Sequence, residues 1–187
     1  MATDRPEDTL NFVDGNHVFI HGVFDESISK HVLPSLVKLV EIQGKVKNGK
    51  IKFYINSDGG LVFSLLDLLA QIEMAKKMGV IVETYVYGRA YSCGSLLACS
   101  GSPGHRYISG QAEHLCHLGS AGTGVVCNDV ELKRSHERAQ YHFDRIRKLY
   151  KKYARIKDLD KAIKYDNYFI RGKEIIANGL ADKIIDE

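Results

Sequence analysis

At 187 residues and 44% hydrophobic composition, the chain is long enough to bury one sizeable core. Its 26 basic and 23 acidic residues give a formal net charge of +3, too close to balance to mark a nucleic-acid or membrane-surface binder by charge. No apolar run approaches the roughly 18 residues of a membrane span, and the opening Met-Ala-Thr-Asp-Arg-Pro-Glu-Asp lacks the apolar core of a signal peptide.

Residues 1–15 read as a flexible N-terminal segment and 16–187 as a single domain. Asn16 to Val23 alternates as a strand does. Glu26 to Glu41 carries Ile28, Val32, Leu33, Leu36, Leu39 and Val40 at helical spacing, with Pro34 as an interruption that removes a hydrogen bond and bends a helix. Ile51 to Asn56 is a short strand, broken sharply by Ser57-Asp58-Gly59-Gly60, and a helix follows from about Phe63 to Met78. Val80 to Tyr87 is the next strand, ending in a turn at Ser92 that leads into a small-residue helix, Leu96-Leu97-Ala98-Cys99. Arg106 to Ile108 and His114 to Leu118 are brief strands, and Ser120 to Gly124 is Gly-rich and reads as extended or mobile. A long helix covers about Asp129 to Ala154, and Lys173 to Asn178 forms a last one that closes at Gly179. Alternating strands and helices predict right-handed βαβ units and a parallel sheet flanked by helices. The basic residues from Lys133 to Lys157 interleave with Tyr, Phe and Ile at helical spacing and read as a solvated helix face, not a nucleic-acid stripe.

The chemistry concentrates at Gly88-Arg89-Ala90-Tyr91-Ser92-Cys93-Gly94 together with His117. A serine on a strand-to-helix turn points its hydroxyl outward, and the helix N-terminus beyond it favours negative charge. A histidine 25 residues later, after a second strand, is placed to act as its base. The four cysteines (Cys93, Cys99, Cys116 and Cys127) have no framework spacing, so thiols in a reducing compartment are expected. His105, His114, Cys116 and His117 cluster, but on a strand His114 and Cys116 share one face while His117 takes the other, so no metal site is expected.

With these residues in place, the chain resembles the ClpP family, the proteolytic subunits of Clp proteases. Ile55-Asn56-Ser57-Asp58-Gly59-Gly60 is similar to the family's Ile-Asn-Ser-Pro-Gly-Gly turn, and the Ser92 segment to its Gly-Gln-Ala-Ala-Ser-Met-Gly nucleophile motif. His114-Leu115-Cys116-His117 stands where the family has its catalytic histidine, and Gly179-Leu180-Ala181-Asp182 resembles its closing signature. The resemblance implies a ClpP/crotonase-like α/β spiral of βαβ units with a long protruding handle, here about 119–154. It implies Ser92 as nucleophile, His117 as general base in preference to His114, and the backbone amides of Gly60 and Cys93 as an oxyanion hole. It also implies substrate binding along Gly119, Ser120 and Gly122 by strand addition. For the aspartate that orients the histidine, the resemblance favours Asp166, from matching the aromatic pair Tyr168-Phe169, over Asn167, from counting back from Gly179 without a gap.

The implied activity is a serine endopeptidase that cuts unfolded polypeptides, without metal or organic cofactor. The implied assembly is two stacked heptameric rings, a tetradecamer, served by a hexameric AAA+ unfoldase of the ClpX, ClpA or ClpC type. The implied location is the cytoplasm of a bacterium or infected cell, or an organelle interior. Two departures stand out: Asp58 replaces the family's proline, and only about 15 residues precede the first strand, where the family's axial loop meets the ATPase. These departures and Asn167 motivate a different reading, a structural ring subunit with little or no activity. A crotonase-type acyl-CoA enzyme is a further rival, against which the Ser92–His117 pair argues, as does the absence of a lysine base and membrane anchor against a signal-peptide peptidase.

Overall fold

The computed structural model describes residues 10–119, 128–164 and 167–186. The chain runs β1 (Asn11–Asp14), β2 (His17–Ile20), α1 (Leu33–Gln43), β3 (Lys50–Ser57), α2 (Val62–Lys77), β4 (Ile81–Tyr91) and α3 (Cys93–Cys99). It continues through β5 (Arg106–Ile108), β6 (Glu113–Cys116), α4 (Asp129–Tyr153), α5 (Leu159–Lys164), β7 (Tyr168–Arg171), α6 (Lys173–Ala177) and β8 (Lys183–Ile184). One sheet holds all these strands in the order β1-β2-β3-β4-β5-β8, with β6 pairing β4 and β7 beyond β6. The pairs from β2 through β5 to β8 are parallel, as expected for βαβ units, while β1–β2 and β6–β7 are antiparallel.

Strands β2 and β3 alternate strictly, with Val18, Ile20, Phe53 and Ile55 buried against the helices. The opposite face carries a ladder of stacked rings, Phe12–Phe19–Tyr54–Tyr85–Tyr107, with neighbouring centroids 4.6 to 5.2 Å apart. Helix α2 buries Leu65, Leu68, Leu69 and Ile72, a stripe at helical spacing. Pro34 stands in the first turn of α1, and the helical chain before it, Ile28–Val32, is a single wide π-turn in which the Leu33 N–H reaches back to the Ile28 carbonyl. The widened turn absorbs the hydrogen bond and the space that the proline ring denies to an α-turn.

Asn11–Asp14, within the segment expected to be flexible, forms the edge strand β1, paired from Asn11↔Ile20 to Asp14↔His17. Strand β4 runs to Tyr91, four residues beyond the expected end. Its register with β3 shifts between Ile55 and Ser57, so that Thr84–Val86 pair with β5 and Arg89–Tyr91 with β6. That fork is the main positional device of the fold. It delivers the end of β4 to the end of β6.

Helix α4 buries only Ile146 and Tyr150, both near its C-terminal end, and its N-terminal turns stand exposed. The base of the helix is tied to the sheet by Arg106, which donates to the Tyr153 and Gly179 carbonyls at 2.8 and 2.7 Å and pairs with Asp182. Among the described residues, no helix is long and apolar enough to cross a membrane.

Candidate active site

Ser92 lies directly between β4 and α3 with φ 54° and ψ −117°, a backbone conformation that non-glycine residues seldom adopt. The reversal projects the hydroxyl away from both elements, at the N-terminal end of α3. The Ser92 N–H donates to the Leu115 carbonyl at 2.8 Å, continuing the β4–β6 pairing by one step. Because Tyr91 pairs with Leu115 across parallel strands, the residues that leave the two strands emerge side by side. Positions 25 apart in sequence thereby meet, with His117 Nε2 2.7 Å from Ser92 Oγ.

The antiparallel β6–β7 pairing supplies the next partner. Cys116 pairs with Tyr168, so the following step sets His117 opposite Asn167. The Asn167 side chain hydrogen-bonds the His117 ring. Burial pushes the His117 pKa below its ordinary value, and the Asn167 bond acts in the opposite direction. Asp166, favoured for this place by the aromatic match, lies outside the described residues, as do Ser120 and Gly122. Gly119 is described and borders the cavity beside His117. Strand β7 was not anticipated, although Tyr168-Phe169-Ile170 between Asn167 and Gly172 has the composition of one.

The turn after β3 faces Ser92 from the other side. Gly59 (φ 93°) packs so closely that a Cβ there would lie 2.7 Å from Ser92 Cβ and 2.8 Å from the Tyr91 carbonyl oxygen. Gly60 (φ 141°) is held by Phe24, whose N–H donates to Gly59 O at 2.8 Å and whose carbonyl accepts from Leu61 N–H at 2.6 Å. Those two bonds leave the Gly60 amide turned away from Phe24, while the Gly60 carbonyl accepts from Cys93 Sγ at 3.3 Å. The backbone N–H groups of Gly60 and of Cys93 itself both lie within hydrogen-bonding reach of the Cys93 sulfur. Burial pushes the Cys93 thiol up to about 11, which keeps it protonated.

His114 occupies a different environment. It is fully buried, its Nδ1 lies 2.9 Å from Ser95 Oγ, and burial aided by Arg106 pushes its pKa down to about 3. His105 sits against Glu83 at 3.7 Å, so the three histidines of the sequence cluster point to three separate places.

Asp58 and Arg89 were read separately in the sequence, yet they pair: Nε–Oδ1 is 2.7 Å and Nη2–Oδ2 2.9 Å. On the far side of Ser92, Glu113 accepts from Tyr91 Oη and Arg171, stitching β4, β6 and β7 together behind the site. A cavity of about 820 Å³ opens over Ser92 and His117. Its walls come from the turn at Gly60, the start of α2, the start of α3, the end of β6 and one face of α4.

Residues 5–187 match the family model described as Clp protease. The chain is 28% identical over 173 residues to the ATP-dependent Clp protease proteolytic subunits of Streptococcus pyogenes serotype M5 (strain Manfredo) and Streptococcus equi subsp. equi (strain 4047). Each alignment covers 90% of this chain and 84% of the relative.

Proposed function

The chain belongs to the Clp protease family, and on that premise we propose that it is a serine endopeptidase subunit of a self-compartmentalising, ATP-dependent protease. The observation that carries the reading is the 2.7 Å contact between Ser92 Oγ and His117 Nε2 at the floor of an open cavity. His117, kept neutral by its depressed pKa, accepts the Ser92 proton as Oγ attacks a peptide carbonyl. The Gly60 and Cys93 amides receive the developing oxyanion, and each such donor is worth about 2.7–4 kcal/mol in related chemistry. Collapse of the tetrahedral intermediate breaks the C–N bond, and protonated His117 gives its proton to the leaving amine. A water molecule, deprotonated by His117, then hydrolyses the ester on Ser92. Asn167 orients the imidazole through its hydrogen bond but brings no charge to the imidazolium.

Substrate backbone is expected to add along Gly119, which borders the cavity, and along Ser120 and Gly122. By the family resemblance, the proposal includes seven subunits to a ring, two rings stacking through α4, a hexameric AAA+ unfoldase feeding the chamber and a cytoplasmic or organellar setting. A helix of 25 residues with only two buried supports contact of α4 with another subunit.

A second reading has a specific observation behind it. An uncharged Asn167 at the imidazole suits a ring subunit of weak or no activity. Native mass spectrometry combined with hydrolysis of a fluorogenic peptide separates the two. A ring-sized particle that turns over peptide, with turnover lost in Ser92→Ala, supports the endopeptidase. A ring-sized particle as inert as its Ser92→Ala variant supports the structural subunit.

A further inference from the structure

We propose that Arg134 and Arg138 make this site select polypeptide segments bearing an acidic side chain near the residue that fills the apolar end of the cavity. The proposal rests on the peptidase reading and adds the substrate class to it. The cavity is divided chemically along its length. One part is walled by Val62, Leu96, Phe143 and Ile146, suited to an apolar side chain. Arg134 and Arg138, one turn apart on α4, line the other part.

Asp58 is the acidic residue of the cavity lining among the described residues, and its carboxylate is taken by Arg89. Arg134 and Arg138 form no ion pair or hydrogen bond among the described residues. Two guanidinium groups at an i, i+4 spacing repel each other, and the repulsion is relieved when a carboxylate sits against both. Guanidinium is also the side-chain group whose donor fork matches a carboxylate. From Arg138 to Ile146 is eight residues of helix, roughly 12 Å, the length of about three to four residues of extended chain. An acidic residue three or four positions from an apolar anchor therefore reaches the arginines while the anchor fills the cavity end.

The test uses C-terminally amidated fluorescein peptides with a central leucine and Glu, Gln or Lys placed three or four positions to either side. Binding is read by anisotropy on the Ser92→Ala protein, and hydrolysis by the wild type is read in parallel. The expected result is that the Glu peptide binds at least fivefold more tightly than the Lys peptide at low salt. The ratio should narrow as salt rises and approach one in Arg134→Gln/Arg138→Gln. Equal binding of Glu and Lys peptides, or a preference that survives the double substitution, overturns the inference. Hydrolysis without charge preference leaves the peptidase standing and removes the selectivity. Charge-selective binding with no hydrolysis by wild type keeps the selectivity and removes the peptidase.

Discussion

Asp58 and Arg89 form a bidentate ion pair that joins the turn carrying the Gly60 amide to the strand carrying Ser92. Arg89 stands three residues before Ser92, and Asp58 two before Gly60. An isolated carboxylate at Asp58 opposes an oxyanion forming nearby, and the guanidinium cancels that charge. Both side chains are about half exposed, so the effect is of surface size, about 0.2–1 kcal/mol. Arg89→Gln should therefore lower kcat by a few-fold, more at low salt than at high. Asp58→Asn combined with Arg89→Gln should recover most of it. Steady-state kinetics of the three variants check this, and a double variant as slow as Arg89→Gln would refute the charge argument.

Asn167 makes the pH profile informative. In the proposed mechanism activity requires neutral His117, whose pKa burial holds below 6.5, so the rate should stay flat through neutral pH and fall only on the acid side of that value. Asn167→Asp adds a carboxylate beside the imidazole, which favours its protonated form. The acid limb of kcat/KM should move to higher pH, and kcat should rise on the order of tenfold as the imidazolium gains a counter-charge. An unmoved limb would mean that residue 167 does not govern the imidazole.

His114 sets an acid limit to stability. Its folded pKa of about 3 lies below the unfolded value of 6.5, so the unfolded chain binds the proton more readily. The stabilisation is whole above pH 6.5 and is lost as pH falls towards 3. At pH 5 the loss is about 2 kcal/mol, from about 1.36 kcal/mol per unit of separation. Thermal melts from pH 7 to 4.5 should show a falling Tm, and His114→Gln should flatten the slope while lowering Tm at pH 7 through the altered contact with Ser95.

Gly59→Ala should remove activity with more effect than its size suggests. The added methyl meets Ser92 Cβ and the Tyr91 carbonyl at a φ of 93°, so the turn must move away from the nucleophile. Labelling of Ser92 should slow by at least tenfold, with circular dichroism showing the fold retained.

The elements with strong periodicity were legible in the sequence: α2 through its leucine stripe, β3 through alternation, α4 through its length. So was Ser92 on its strand-to-helix turn, while the family resemblance pointed to His117, which lies 2.7 Å from it. What sequence did not reveal depends on pairing at a distance. Strands β7 and β8, of four and two residues, carry too little pattern to stand out, and each is defined by its partner strand. The contact of Asn167 with His117 rests on the β6–β7 register, whereas the sequence match favoured Asp166 over Asn167 for that place. The Asp58–Arg89 pair joins positions 31 apart through the β3–β4 fork, for which no local signal exists. Pro34 looked like a break in a helix because the widened turn that accommodates it is a backbone adjustment.

The most direct measurement is intact-mass detection of fluorophosphonate labelling on the wild type and on Ser92→Ala. A single stoichiometric adduct on the wild type, absent from Ser92→Ala, is the predicted result and establishes Ser92 as an activated nucleophile. A wild-type chain that takes up no label, or a Ser92→Ala chain that labels equally, contradicts the account.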